Sequence, residues 1–234
     1  MKRAIFLSVI VIAISFTAGF SKGKSVVKET RDLSGFKKVS FGVAGELYIN
    51  FGKEFKVELE GEKSLLEDIV TEVSGGKLVI KKENWRLNMN EKVRVYITMP
   101  ELKGLGVSGS GRAEIKDPLK GEDLDLSVSG SGKIYTTDVV ADDLNCSISG
   151  SGDIIFGGNG EANRADISIS GSGNYSGESL KIGTVRINIS GSGNCACNVT
   201  ESLGASVSGS GNVSYLGNPK VDARVSGSGH IRSK

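Results

Sequence analysis

The chain has 234 residues, with 29 Lys+Arg against 27 Asp+Glu, 6% aromatic residues, 33 glycines and three cysteines. Charges so evenly mixed leave no electrostatic footprint for nucleic acid, which is excluded as a partner. So few aromatic residues favour a thin, β-branched core over a wide globular one.

Residues 1–20 open with Lys2 and Arg3 and continue through an apolar run, 4–18, broken only by Ser8, Ser15 and Thr17. This is the pattern of a secretory signal peptide, with Thr17 and Gly19 as small residues near a cleavage site. The run is shorter than the about 20 residues that span a bilayer comfortably, so a retained anchor is the weaker alternative. The expectation is an exported chain, in the periplasm, the cell envelope or the extracellular space, and not integral to the membrane after cleavage. No cysteine follows the run, since the three are Cys146, Cys195 and Cys197, so lipidation of a mature N-terminus is not supported.

Residues 26–104 predict a capping coil with an insertion. Val39, Phe41, Leu47 and Ile49 flank a small-residue corner, Gly42-Val43-Ala44-Gly45. A strand-like stretch at 55–59 precedes a predicted helix at 64–73, with apolar residues at Leu65, Leu66, Ile69 and Val73. Ser64 with Glu67 matches a capping box. A Gly75-Gly76 turn then leads to alternating strands at 78–82 and 93–99, stopped by Pro100. Trp85 and Arg86 fall in the polar stretch between those strands, where the indole could stack on a sugar ring or cover the core.

Seven copies of Ser-Gly-Ser-Gly divide residues 105–234. They start at Ser108-Gly109, Ser129-Gly130, Ser149-Gly150, Ser170-Gly171, Ser190-Gly191, Ser208-Gly209 and Ser226-Gly227, at intervals of 21, 20, 21, 20, 18 and 18 residues. A period near 20 suits one coil of a solenoid. The residue before each copy is Val or Ile, and apolar residues recur two and four positions further back, as half-buried strands require. After each motif the alternation resumes, from Ala113, Ile134, Ile154, Tyr175, Cys195, Val213 and Ile231. A coil is therefore strand, Ser-Gly corner, strand and variable return, with glycines turned inward and serines outward. Asn174, Asn194 and Asn212 share one column and can hydrogen-bond along the stack. Parallel strands joined by right-handed crossovers predict an all-β, right-handed, single-stranded parallel β-helix.

These residues resemble the head GIN domain family of auto-transporter adhesins. The likeness rests on Arg31-Asp32-Leu33-Ser34-Gly35-Phe36, the small-residue corner with Leu47-Tyr48-Ile49, Pro100-Glu101-Leu102 and the repeats, and covers nearly all of residues 30–234. It implies a secreted or envelope-associated bacterial β-helix with no family catalytic residues to carry over. The sequence has no membrane-barrel segment of the kind that exports an auto-transporter passenger.

Site chemistry is sparse. Cys146, Cys195 and Cys197 fall in inward columns and are expected as buried free thiols rather than a zinc knuckle or a disulfide. His230 is the only histidine, which leaves no Ser/His/Asp constellation or His-rich metal site, and no cofactor is expected. The acids Asp123, Asp125, Asp142, Asp143, Asp153 and Asp166 are expected in different columns with no adjacent-rung pair, which argues against a glycosidase, a lyase or a calcium site. The serine columns could bind an ordered polysaccharide surface or merely satisfy one another. The function expected is a non-enzymatic, adhesin-like module for glycan or another envelope protein. The alternative is an envelope assembly element that forms homo-oligomers by end-to-end pairing through its C-terminal coil; a polysaccharide-cleaving enzyme ranks below both.

Overall fold

The computed structural model describes residues 25–83 and 92–234, which form a β-solenoid of about six turns. The expected signal peptide, and the Trp85-Arg86 pair, lie outside the described residues.

The repeated coils contain β8 (Gly104–Gly109) with β9 (Arg112–Ile115), β10 (Leu119–Gly130) with β11 (Lys133–Thr136), and β12 (Val139–Gly150) with β13 (Asp153–Phe156). They continue through β14 (Gly160–Gly171), β15 (Asn174–Gly191), β16 (Asn194–Gly209), β17 (Asn212–Leu216), β18 (Lys220–Gly227) and β19 (His230–Ser233). All rung-to-rung pairings are parallel and keep the motif in register, so Val128 pairs with Val107 and Ile148, and Ile169 with Ile148 and Ile189. The ladders skip one residue per coil, at Glu122, Asp142 and Asn163, where the chain bends a third time. Each coil therefore has three sides, of which the one leading into the Ser-Gly corner is the long one.

The Ser-Gly corner explains the period. Gly130, Gly150, Gly171, Gly191, Gly209 and Gly227 have φ between 107° and 127°, a conformation closed to residues with a Cβ. A Cβ on Gly171 would also lie 2.5 Å from the Gly150 carbonyl oxygen. That same oxygen accepts the Ser172 N–H at 2.8 Å, so each corner is tied to the one before it. Inward columns are dry: Val107, Val128, Ile148, Ile169, Ile189 and Val207 are all buried.

At the other end β2 (Lys38–Gly42) and β3 (Gly45–Phe51) make the preceding coil, with Phe41 beside Val107 and Leu47 beside Ala113. Ahead of them β6 (Lys77–Lys82) and β7 (Val93–Met99) still run parallel. The direction then reverses: β5 (Ile69–Ser74) pairs antiparallel with β6, β4 (Lys56–Glu62) with β7, and β1 (Val26–Arg31) with β4.

Two local expectations fail here. The helix α1 covers only Lys63–Glu67, and residues 69–74 are strand. Ile69, Thr71 and Val73 also alternate, and pairing with β6 across the Gly75-Gly76 turn prevails over a helix too short to be stable alone. The capping box is absent because Glu62 is the N-cap, without a side-chain cap bond, and Ser64 lies inside the helix.

Candidate binding surface

The long side of the coils carries two outward columns in register. One runs Ser127, Ser147, Ser168, Asn188 and Ser206, and the other Ser129, Ser149, Ser170, Ser190 and Ser208. All ten are exposed, because period two sets them opposite the buried Val and Ile columns. Hydroxyls thus repeat at about 4.8 Å from rung to rung. A shallow depression of about 360 Å³ is lined by Ser147, Ser149, Ser168, Ser170, Asn188 and Ser190. The neighbouring column is charged and already paired. Lys38 Nζ lies 2.9 Å from Asp125, Asn145 donates to Asp125 at 3.2 Å, and Arg186 to Asp166 at 3.2 Å. Among the described residues, no side-chain hydrogen bond ties the two serine-rich columns to one another or to this charged column.

A second concavity, of about 770 Å³, opens at the third bend. Arg164 grips Asp143 with two bonds of 2.7 and 2.9 Å, and Asn163 donates to Asp142 at 2.7 Å. The Arg164 guanidinium holds the Asp143 carboxyl below the ordinary range, against some desolvation. The expected separation of the acids is wrong at two places: Asp125 and Asp166 share a column through Asn145, and Asp123 and Asp143 are partners in register on adjacent rungs. Both lie six residues ahead of their motif serines, an alignment that counting forward from the previous motif obscures because the returns differ in length. Arg164 favours the ionised form of Asp143, which does not suit that residue as the proton donor of a glycosidase.

The asparagine column forms as expected. Asn194 donates to Asn174 at 2.9 Å and Asn212 to Asn194 at 3.0 Å. The column extends backward beyond the sequence expectation, through Asn174 to Asp153 at 2.8 Å and on to Lys133, whose Nζ is 2.6 Å from Asp153. Tyr48 and Tyr96, which the sequence did not single out, stack with centroids 5.4 Å apart. Lys116 covers Tyr48 at 4.4 Å and Lys28 covers Tyr96 at 5.0 Å, so the outer faces of this ring pair are occupied. The two tyrosines are partners in register on strands far apart in sequence, which left no signal in the sequence.

Cys146, Cys195 and Cys197 are buried and free, and burial pushes the Cys146 and Cys195 thiols far up, away from nucleophilic thiolate. Among the described residues no group of three or more His, Cys, Asp or Glu is placed to hold a metal ion.

The family model described as "Putative auto-transporter adhesin, head GIN domain" matches residues 35–219. The chain belongs to this family. Its GIN-domain fold is shared by a crystal structure of a "putative adhesin" from Bacteroides fragilis, with a TM-score of 0.85 at 25% identity over 92% of this chain and 100% of that one. A "putative adhesin" from Parabacteroides merdae aligns at 0.73 and 25% identity, over 91% and 97% of the two chains. A "putative lipid binding protein" from Parabacteroides distasonis aligns at 0.68 and 25% identity, over 89% and 96%. None of the curated proteins matches the chain.

Proposed function

We propose that this GIN domain is a non-enzymatic, exported adhesin-like module that binds an extended, hydroxyl-rich glycan across the serine face. The observation that carries this is the pair of exposed columns through Ser147 and Ser149, held in register over five rungs with their hydroxyls uncommitted to other side chains. Each hydroxyl both donates and accepts, and so does each sugar hydroxyl, so a periodic polymer can be matched by a periodic protein. Continuous parallel ladders hold the columns in place, which limits the ordering cost of binding many weak contacts. Its family membership and the adhesin neighbours favour a surface or secreted location, and no described helix is long and apolar enough to cross a membrane.

The test is binding of the purified chain to a glycan and polysaccharide array, beside a variant with Ser149, Ser168, Ser170 and Ser190 changed to alanine. Four lost hydrogen bonds at about 0.5–1.5 kcal/mol each should weaken binding by at least about tenfold. Arg164→Ala, at the other concavity, should leave it unchanged. Loss of binding in Trp85→Ala instead would move the site to residues 84–91, and silence across the array would overturn the glycan assignment in favour of an envelope protein ligand.

A further inference from the structure

We infer that two copies of the chain associate through β18, antiparallel about a two-fold axis at Ala223. The inference is independent of the glycan assignment and comes from the direction of backbone groups along the stack. Asp125, an outward residue, sends its N–H back to the Lys103 carbonyl on the preceding rung, and the inward-parity Gly109 offers its carbonyl forward to Ser131. In a parallel ladder both groups of a residue face the same neighbour, so outward residues bond backward and inward ones forward. On β18 the inward residues are Val221, Ala223 and Val225, whose partners in register on β16 are Leu203, Ala205 and Val207. Their N–H and C=O groups therefore point away from β16, where no described strand receives them.

The side chains carry the same signature. Val221 and Val225 are each 44% exposed, whereas Leu203 and Val207, one rung earlier in the same columns, are 1% exposed. An apolar, unpaired edge of this kind is a template for another strand.

What selects a second copy is the sequence of that edge. Residues 221–225 read Val-Asp-Ala-Arg-Val, and reversal about Ala223 sets Val221 against Val225 and Asp222 against Arg224. Under a two-fold axis every residue meets its mirror position, so the Asp222–Arg224 pair and the Val221–Val225 pair each form twice. The centre is also correct for hydrogen bonding, because Ala223 has its backbone groups on the open side. Asp222 and Arg224 then occupy the non-hydrogen-bonded positions, where opposed side chains approach most closely. The long sides of the two solenoids would merge into one sheet and double the length of the serine face, which raises avidity for a repeating ligand.

The test is sedimentation velocity of the purified chain over an about hundred-fold concentration range. The expected result is a monomer–dimer equilibrium. Asp222→Arg and Arg224→Asp each set like charges across the axis and should weaken the dimer at least about tenfold. The double exchange, Asp222→Arg with Arg224→Asp, should restore it, and an equimolar mixture of the two single variants should form the heterodimer. All four positions opposed across the axis lie on an exposed edge, and circular dichroism checks that each variant is folded. A monomer at every concentration, a series of species larger than dimer, or single variants that dimerise as tightly as the parent would each overturn the inference.

Discussion

Gly171 and Gly109 occupy equivalent places in two copies of one motif and are held by different physics. Gly109 has φ 83° with open space where a Cβ would go, whereas Gly171 has φ 117° and a Cβ there would press on the Gly150 backbone from 2.5 Å. Gly109→Ala should therefore cost only the conformational term, about 1–2 kcal/mol. Gly171→Ala adds a collision with backbone that cannot turn aside, and the sum should exceed about 3 kcal/mol. Urea denaturation of both variants measures the difference; equal costs would mean that φ alone, and not rung packing, demands glycine. Sequence spacing made these corners legible because from Gly130 onward glycine is required twice over. The rings of Tyr48 and Tyr96 were not legible as a pair, since their strands are separated in sequence by β4, α1, β5 and β6 and only the fold sets them side by side.

Columns of like residues are the repeating unit at the next scale, and the one through Lys133, Asp153, Asn174, Asn194 and Asn212 makes a pH-dependent contribution to stability. Burial raises the Asp153 pKa, but hydrogen bonds from Lys133 and Asn174 more than offset it, so the carboxyl lies below its ordinary value. A depressed folded-state pKa stabilises the fold fully above the unfolded value and loses that contribution as pH falls through the folded one. Asp153→Asn should accordingly be less stable than the parent at neutral pH, and the two should converge below about pH 4, the ordinary aspartate range. Thermal melts from neutral pH down into the acid range would check this; a gap that persists into acid would assign the loss to packing. The asparagines of this column were visible from spacing alone. The segment 64–73 was not, because Leu65, Leu66, Ile69 and Val73 satisfy a helical period while Ile69, Thr71 and Val73 satisfy an extended one, and only the partner strand β6 decides between them. The acids misled for another reason: Asp123 and Asp143 come into register only once the unequal returns are taken up at the turns.

For the molecule as a whole, stability should be graded along the axis. Interior coils such as β14 and β15 have parallel neighbours on both sides, whereas β18 and β19 are paired on one side among the described residues. In a solenoid the terms act between nearest neighbours, so opening costs least at an end. Amide hydrogen exchange should show protection highest in β14 and β15 and lowest in β18 and β19, with the Val221, Ala223 and Val225 amides slowing only at concentrations where the chain dimerises. Uniform protection would indicate that the chain opens only as a single unit.

The coils differ in length, and the structure puts most of the difference in one place, with a one-residue shift at the third bend between Ile182 and Thr184. Between β15 and β16 the register jumps from Gly177 to Lys181 while Cys197 and Asn198, their partners, are consecutive. Residues are thus gained or lost at the turn after the short side, and the corners and serine columns on either side stay aligned. That turn is a tolerant point in an otherwise strict lattice. A foreign peptide grafted there would be displayed along one edge of the rod, at intervals fixed by the strand spacing, leaving the hydroxyl face unaltered.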